Sequence, residues 1–203
     1  MKFSELNQVS EVIFASQNSG KILEVKSILS GMNIEIKSLI DLNDFEDILE
    51  DGATFEENAR KKALHVYNKY KIPVLADDSG LSVDQLNGRP GIHSARYSGE
   101  NATSEENNRK LIQELSSKPA PHYAAFICLA LYYDGKEFIS AFGDVKGVIT
   151  LSPKGNSGFG YDPLFIPENY NQTMAELNPE VKNKISHRFV AFSRLKNKLE
   201  GKI

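Results

Sequence analysis

The chain contains a single cysteine, Cys128, among its 203 residues. An internal disulfide and a metal site built from several cysteines are therefore excluded. A lone cysteine in an apolar stretch is typical of the core of a protein from a reducing compartment. Positive charge is not in excess either, because the chain has 24 Lys and Arg residues against 27 Asp and Glu residues, which gives a net charge of −3. This mild acidity argues against a nucleic-acid partner held by bulk charge.

Long apolar segments are missing as well. The longest apolar run extends from Tyr123 to Tyr133, which is well short of the roughly 20 residues that a membrane-spanning helix needs. Residues 1–8 have no apolar core of a signal peptide. We see no Pro-, Gly- or Ser-rich linker and no internal repeat. We therefore expect a soluble, cytoplasmic protein with no membrane partner.

The first forty residues follow a strand–loop–helix–strand pattern. Residues 12–15 predict a buried strand, and residues 34–38 predict a second one. The apolar residues between them recur at helical spacing, at Ile22, Val25 and Leu29. Such βα units are typical of an α/β protein.

Two capping boxes predict the starts of further helices. Thr54 is followed three residues later by Glu57, and Thr103 is followed in the same way by Glu106. The helix after Thr103 is expected to end near Leu115. Both boxes lie directly before apolar residues at helical spacing, as the start of a helix requires.

Three more strands are predicted at residues 74–76, 124–133 and 137–149. The first is expected to run into a polar loop at residues 77–80. Asp134-Gly135, between the other two, indicates a hairpin with a type I′ turn. Together these elements predict a mixed sheet flanked by helices. Its binding residues should follow the carboxyl ends of parallel strands, in loops 16–21 and 77–80.

The first of these loops reads Ser16-Gln17-Asn18-Ser19-Gly20-Lys21. Backbone N–H groups at a helix start attract phosphate, and Lys21 adds a mobile positive charge. The loop is not a Walker A motif, because Ala15 stands at the first glycine position and Ile22 follows the lysine. The competing interpretation is an Asn or Ser helix cap with a solvated lysine.

Acidic residues form a second candidate site. Asp78 could bind Mg²⁺ through a hard carboxylate oxygen, although Asp77-Asp78-Ser79-Gly80 could equally form an Asx turn. In an extended chain Asp77 and Asp78 would point to opposite sides. Glu50, Asp47 and Asp51 lie just before the helix that begins after Thr54, and their spacing does not decide which would be a second metal ligand. Asn58 and Lys62 share one face of that helix.

Two further motifs could bind a base. In Gly158-Phe159-Gly160-Tyr161-Asp162 the glycines allow close approach to the backbone, Phe159 could stack on a base and Asp162 could accept hydrogen bonds. The alternative is a surface turn with Phe159 in the core. Lys182, His187 and Arg188 carry positive donors near the start of the last helix. They could equally form its solvated basic face.

Taken together and in this order, these motifs resemble those of the non-canonical purine nucleoside triphosphate pyrophosphatases, the inosine triphosphate pyrophosphatase family. The resemblance runs from about residue 12 to residue 199. The matching segments are SQNSGK at residues 16–21, TFEENA at 54–59, ADDSGL at 76–81, GRPG at 88–91, SARYSG at 94–99, GFGYDP at 158–163 and ISHR at 185–188.

The resemblance implies a single ITPase-like domain over residues 1–203, with residues 1–10 as a short N-terminal extension. It implies an α/β fold with an elongated central mixed sheet, and two lobes with an active-site cleft between them. It further implies a homodimer that uses Mg²⁺ to hydrolyse ITP, dITP and XTP to the monophosphate and pyrophosphate, and so removes them from the nucleotide pool.

The resemblance also implies roles for individual residues. Asp78 would be a metal ligand and the proposed general base, although orientation of a metal-bound hydroxide by Asp78 is equally consistent with the sequence. Glu50 would be the second metal ligand, and Lys21 and Lys62 would act on the phosphates. Substrate binding would fall to Ser16, Gln17, Asn18, Ser19, Gly20, Lys21, Ser79, Phe159, Gly160, Tyr161, Asp162, Lys182, His187 and Arg188. The first six of these would cradle the triphosphate, and Lys182, His187 and Arg188 would complete the base pocket.

Three other functions remain compatible with the residues. One is a triphosphate pyrophosphatase of related fold with another base preference, and a second is a metal-dependent nucleotide phosphatase that releases orthophosphate. The third is a nucleotide-binding module without activity. Asp78 together with Lys21 and Lys62 argues against the third, because binding alone needs no such arrangement of carboxylate and cations.

Overall fold

The computed structural model describes residues 10–200. Residues 1–9, which make up most of the expected N-terminal extension, lie outside this part, as do residues 201–203. The described chain forms the strands β1 (Ser10–Phe14), β2 (Ile34–Ser38), β3 (Val74–Val83), β4 (His122–Tyr133), β5 (Phe138–Ile149) and β6 (Phe165–Pro167). Its helices are α1 (Ser19–Ile28), α2 (Phe55–Tyr70), α3 (Ser104–Leu115), α4 (Pro179–Ile185) and α5 (His187–Leu199), with short 3₁₀ helices at Asp84–Leu86 and Gly91–Arg96.

The six strands form one mixed sheet in the order β2-β1-β3-β4-β5-β6. Strand β1 is parallel to β2, with Ser10 opposite Ile34, and parallel to β3, with Ile13 opposite Val74. Strand β6 is antiparallel to β5, with Val148 opposite Ile166. The prediction of an α/β protein with a mixed sheet and flanking helices is confirmed.

The chain divides into two compact units. Unit 1 takes in the described residues up to Asp78, Cys128–Gly143 and the residues from Arg188 onward, and unit 2 consists of Ser79–Ile127 and Asp144–His187. Strands β3, β4 and β5 each contribute residues to both units.

Unit 1 has two hydrophobic clusters because side chains alternate along its strands. Val12 and Phe14 of β1 belong to the cluster that contains α1 and α5, whereas Ile13 belongs to the cluster that contains α2. All three side chains are fully buried or nearly so. In unit 2 a third cluster packs α3 against residues of β3, β4, β5 and β6.

The predicted helix boundaries are confirmed where capping residues define them. The Thr54 side chain accepts a hydrogen bond from Glu57 N at the start of α2. Thr103 and Glu106 form a complete capping box, and α3 ends at Leu115 as expected. These caps satisfy backbone N–H groups that a helix otherwise leaves without partners.

Two local predictions are wrong. The expected polar loop at residues 77–80 is part of β3, which continues to Val83. The connection between β4 and β5 is not a two-residue type I′ turn, because residues 134–137 lie outside both strands. Of the two central residues only Gly135 has a positive φ, at 91°. Asp134 Oδ1 instead accepts hydrogen bonds from Lys136 N and Glu137 N, which closes a longer loop.

Candidate active site

The loop between β1 and α1 is shaped by its own polar side chains. Ser16 Oγ accepts a hydrogen bond from Asn18 N at 3.2 Å, and Asn18 Oδ1 caps α1 by accepting one from Lys21 N at 3.0 Å. Gln17 Nε2 donates to the carbonyl oxygen of Glu46 at 3.1 Å. The loop therefore presents the first turn of α1, with Ser19 and Gly20, in a fixed conformation.

Lys21 is directed at Asp77 of β3. Its Nζ lies 3.1 Å from Asp77 Oδ1, and Arg188 Nε donates to Asp77 Oδ2 at 3.2 Å. Burial disfavours the carboxylate of Asp77, but the charges of Lys21 and Arg188 outweigh this effect and hold its pKa below the usual range. Arg188 Nη1 also donates to Glu24 Oε2 at 2.6 Å. Glu24, Asp77 and Arg188 are all buried, and with the half-buried Lys21 they form a network of two carboxylates and two cations.

Asp78 projects toward helix α2, on the side opposite to Asp77. Asn58 Nδ2 donates to Asp78 Oδ2 at 3.0 Å, and Asn58 Oδ1 accepts from Gly52 N at 2.8 Å. Asn58 is fully buried, so its amide is held in one orientation and fixes the Asp78 carboxylate in turn. Burial raises the pKa of Asp78, although Lys62 and Lys21 oppose the rise.

Lys62 joins Asp78 to the acidic segment before α2. Its Nζ lies 3.0 Å from Glu50 Oε2 and 3.8 Å from Asp78 Oδ1. Burial opposes the charge of Lys62, but the carboxylates of Asp78 and Glu50 outweigh burial and raise the pKa of the lysine. Asp51 pairs instead with the exposed Lys61, and Asp47 is exposed. Of the three candidate acids, Glu50 is therefore the one that shares a cation with Asp78.

The donor set around Lys62 fits a magnesium ion. Glu50 and Asp78 offer carboxylate oxygens that already converge on one cation, the Lys62 ammonium. Mg²⁺ commonly binds one or two carboxylates and completes its shell with water and substrate phosphates. Within residues 10–200 no group of three or more His, Cys, Asp or Glu side chains is assembled for a metal. Such an all-protein cage is not what Mg²⁺ requires.

Unit 2 contains a second group of predicted residues, centred on Asp162. Asp162 Oδ2 accepts hydrogen bonds from Phe159 N and from Lys182 Nζ, both at 2.8 Å. The Lys182 ammonium lies 5.0 Å from the centre of the Phe159 ring, within reach of a cation–π interaction. Gly158, with φ of 82°, passes so close to Asp162 that an added Cβ would lie 2.1 Å from Oδ2. The glycine therefore allows the loop to close around the carboxylate.

Of the remaining predicted residues of unit 2, Tyr161 and His187 are buried, whereas Gly160 and Ser79 are half-buried. The Tyr161 hydroxyl donates to the carbonyl oxygen of Ser94 at 2.9 Å, and burial raises the pKa of Tyr161. The imidazole of His187 stacks on Phe126, with ring centres 4.9 Å apart. Asn108 Nδ2 donates to the carbonyl oxygen of Gly160 at 3.1 Å. Ser79 is half-buried in β3.

The structure separates the predicted residues by unit. In unit 1 it brings Lys62, Asp78 and Glu50 together, and Lys21 pairs with the adjacent Asp77. In unit 2 it brings together Phe159, Asp162 and Lys182. Arg188, expected beside Lys182 and His187, belongs to unit 1, where its guanidinium is buried against Asp77 and Glu24.

Sequence reasoning left several residues without a site role, namely Glu24, Asn58, Asp77, Asn108 and Phe126. For Asn58 a signal was present, because it shares a helix face with Lys62. Glu24 likewise follows Lys21 by three residues on α1. For Phe126 and Asn108 no local pattern distinguishes them from ordinary core and helix residues.

The chain is similar to known proteins of one family. The model of the Ham1 family matches residues 12–198. A protein of Geobacter sulfurreducens named dITP/XTP pyrophosphatase is 49% identical over 193 residues, which are 94% of this chain and 97% of that protein. The structure of a HAM1 protein from Coxiella burnetii superposes with a TM-score of 0.86 at 37% identity, covering 95% of this chain and 100% of that one. The structure of the Staphylococcus aureus Ham1 protein superposes with a TM-score of 0.84 at 39% identity, covering 96% of this chain and 100% of that one.

The fold and the two groups of residues thus define an α/β protein with a cluster of carboxylates and lysines suited to phosphate chemistry. The chain belongs to the Ham1 family. The resemblance noted from its motifs is confirmed.

Proposed function

We propose that this protein is a nucleoside triphosphate pyrophosphatase that hydrolyses the non-canonical purine nucleotides ITP, dITP and XTP to the monophosphate and pyrophosphate. The observation that carries the proposal is the convergence of Glu50, Asp78 and Lys62 at one point in unit 1. The name dITP/XTP pyrophosphatase, borne by a relative that is 49% identical, supports the choice of substrates.

The lysines of unit 1 and the start of α1 would bind phosphate groups. Ser19 and Gly20 present backbone N–H groups in the first turn of α1, where an anion is favoured by the helix dipole. Lys21 and Lys62 supply positive charges that would neutralise the phosphate oxygens. Asp77 fixes Lys21 in advance, so little reorganisation would be needed when the phosphates bind.

The cofactor in this proposal is Mg²⁺, held by Glu50 and Asp78. When bound, it would supply a positive charge to the phosphates and the leaving pyrophosphate. The chain's own residues carry the remaining steps. The Asp78 carboxylate, held by Asn58, would accept a proton from the water whose oxygen attacks the α-phosphorus. The bond from that phosphorus to the pyrophosphate oxygen then breaks.

The residues of unit 2 that the family motifs assign to substrate binding would bind a purine base. Phe159 offers an aromatic face, and the residues that follow it in the loop, Gly160, Tyr161 and Asp162, would hold the nucleoside. Lys182 and His187 would donate hydrogen bonds to the base. Hypoxanthine and xanthine present an acceptor at O6 and a donor at N1, whereas adenine presents the reverse. A site that donates to O6 would therefore leave polar groups without partners when ATP binds.

The test is to incubate the purified protein with ITP, XTP, GTP, ATP, a pyrimidine nucleoside triphosphate and a modified nucleoside triphosphate, each with and without Mg²⁺. Pyrophosphate and orthophosphate are measured separately. We expect pyrophosphate from ITP and XTP, far above that from ATP or GTP, and none without Mg²⁺. Orthophosphate as the product would support the nucleotide phosphatase instead. Pyrophosphate from a pyrimidine or a modified nucleotide only would support a related enzyme with another base preference.

We further propose that the protein works as a homodimer in the cytoplasm, where the nucleotide pool lies. Phe45 and Leu49 of unit 1 support the dimer, because these apolar residues are 65% and 72% exposed and a second copy would cover them. Among residues 10–200, no helix is both long and apolar enough to cross a membrane. Sedimentation velocity over a range of protein concentrations tests the dimer, and a monomer at all concentrations would refute it.

A further inference from the structure

The ammonium of Lys62 lies between the carboxylates of Glu50 and Asp78, the two residues assigned to the metal. It lies 3.0 Å from Glu50 Oε2 and 3.8 Å from Asp78 Oδ1. The side chains of Lys62 and Asp78 are only 8% and 7% exposed. Because a buried charge is costly without a partner, these groups depend on each other in the protein as it stands.

Helix α2 fixes where this ammonium can go. Lys62 lies one turn after Asn58, which is fully buried against Asp78, and Ala59 and Ala63 anchor the same helix in the core. The backbone at residue 62 is therefore held in place. Only the end of the lysine side chain can exchange one partner for another.

The charges make a free divalent cation a poor ligand for this site. Two carboxylates and one ammonium carry a net charge of −1, and a metal ion placed between the carboxylates would lie beside the positive Nζ of Lys62. At such short range in a buried site, repulsion between like charges is strong. A triphosphate changes the balance, because its oxygens offer the ammonium a new partner while the metal takes over the carboxylates.

We propose that Lys62 is the built-in counter-ion of the metal site, so that the site takes the complex of a divalent cation with a triphosphate and binds the free cation only weakly. This rests on the proposed function, which supplies both the cation and the triphosphate. Lys62 thus sets the metal affinity of the nucleotide-free protein in addition to binding phosphate.

The experiment measures binding of Mn²⁺ alone to the nucleotide-free protein by electron paramagnetic resonance. Lys62→Met keeps the length of the side chain and removes the charge, and we expect it to bind Mn²⁺ at least about tenfold more tightly than the wild type. Lys62→Arg keeps the charge and should bind as weakly as the wild type. Glu50→Gln combined with Lys62→Met should lose the gain, because a metal ligand is then missing.

Lys61→Met is the matched control. Lys61 is the preceding residue on α2, but its side chain is 43% exposed and pairs with Asp51. Its removal should change Mn²⁺ affinity by less than about twofold, because exposed charges are screened by solvent and salt. Equal gains in both single variants would overturn the proposal, and so would unchanged or weaker binding by Lys62→Met. Thermal melting shows whether each variant is folded, and Lys62→Gln replaces Lys62→Met if the latter is not.

Turnover of ITP by the wild type, measured on the same preparation, separates the two proposals. If the wild type hydrolyses ITP but Lys62→Met binds Mn²⁺ no more tightly, the counter-ion role of Lys62 is refuted and the proposed pyrophosphatase activity stands. If Lys62→Met binds Mn²⁺ more tightly but the wild type hydrolyses no triphosphate, the counter-ion role is upheld and the proposed pyrophosphatase activity is refuted.

Discussion

Arg188 Nε donates a hydrogen bond to Asp77 Oδ2 over 3.2 Å, although 111 residues separate the two in the sequence. Both side chains are 1% exposed. Asp77 immediately precedes Asp78 in β3, so this pair holds the strand from which the proposed metal ligand projects. The base-binding role that the family motif implies for Arg188 stays a prediction. Its partners in the structure are the carboxylates of Asp77 and Glu24.

Loss of the Arg188 charge should destabilise the protein strongly. Arg188→Met leaves Asp77 and Glu24 buried without this partner, and removal of one member of a buried ion pair costs about 3–5 kcal/mol. Urea denaturation measures the free energy of unfolding. Arg194→Met is the control, because Arg194 is exposed and donates to the carbonyl oxygen of Phe142. Equal stability of the two variants would mean that the buried pair makes no net contribution.

Asp78→Asn should abolish turnover and leave the fold intact. Asparagine keeps an oxygen for the hydrogen bond from Asn58 but loses the charge that a metal ligand and general base requires. Because burial raises the pKa of Asp78, its ionised form costs stability above that pKa. Loss of the charge also removes a partner of the buried Lys62 ammonium. The two effects on stability oppose each other, so the variant should remain folded at pH 7, while kcat falls by about 100-fold or more. Near-full activity would exclude both roles of Asp78.

Gly158→Ala should impair the binding of the nucleoside more than that of the phosphates. An added Cβ would lie 2.1 Å from Asp162 Oδ2 and 3.0 Å from Lys182 Nζ. Displacement of either group should lower kcat/KM for ITP by about tenfold or more. Inhibition by inorganic pyrophosphate should stay unchanged, because pyrophosphate lacks a base.

Gly31→Ala is the matched control for this prediction. Gly31 has a similar φ, 88° against 82°, and no atom within 4 Å of an added Cβ. Both variants therefore share the cost of a left-handed residue, about 1–2 kcal/mol, and differ in the contacts with Asp162 and Lys182. If Gly31→Ala lowers kcat/KM for ITP as much, backbone strain and not the displaced side chains is responsible.

Asp44 should contribute to stability at neutral pH and lose its contribution in acid. Burial disfavours its carboxylate, but hydrogen bonds from Lys69 Nζ at 3.0 Å and Tyr70 OH at 2.8 Å outweigh burial and lower its pKa from the ordinary 3.8. A depressed pKa in the folded protein stabilises it above pH 3.8, and this stabilisation disappears as the pH falls below that value.

Asp44→Asn measures this contribution. At pH 7 its free energy of unfolding should be about 1.5–3 kcal/mol below that of the wild type, as expected for hydrogen bonds to a charged group. The difference should shrink as the pH is lowered through 3.8 and below. Asp47→Asn, at an exposed position of the same segment, should show little difference at any pH. A difference for Asp44→Asn that does not depend on pH would mean that packing and not charge is responsible.

Local elements were predictable wherever neighbouring residues determine them. Residues 34–38 form β2 as expected, and the Thr103–Glu106 box correctly marks α3. Residues 77–80 were predicted as a loop because adjacent carboxylates are rarely buried in a strand. Asp77 is tolerated there because Lys21 and Arg188 neutralise it from 56 and 111 residues away. No local pattern carries that information.

The candidate site was predictable to a similar extent. The chemistry of Asp78, Lys21 and Lys62 follows from residue type and family motif, but the positions of their partners do not. Spacing could not choose among Asp47, Glu50 and Asp51, and the choice of Glu50 gains support from its contact with Lys62. The amide of Asn58, which connects Gly52 to Asp78, depends on the packing of α2 against β3 and is visible only in three dimensions.

The alternation of Asp77 and Asp78 along β3 restricts how this part of the gene can change in length. Inserting or deleting one codon within β3 would exchange the two sides of the strand beyond that point. Asp77 would then face Asn58 and Lys62, and Asp78 would face Lys21 and Arg188. A substitution in this segment changes one side chain at a time, whereas an insertion or deletion reverses the facing of both carboxylates at once. The acidic stretch before α2 lies mostly outside regular structure and has no such alternation of sides. A change of length there is limited instead by the places of Glu50 beside Lys62 and of Gly52 beside Asn58.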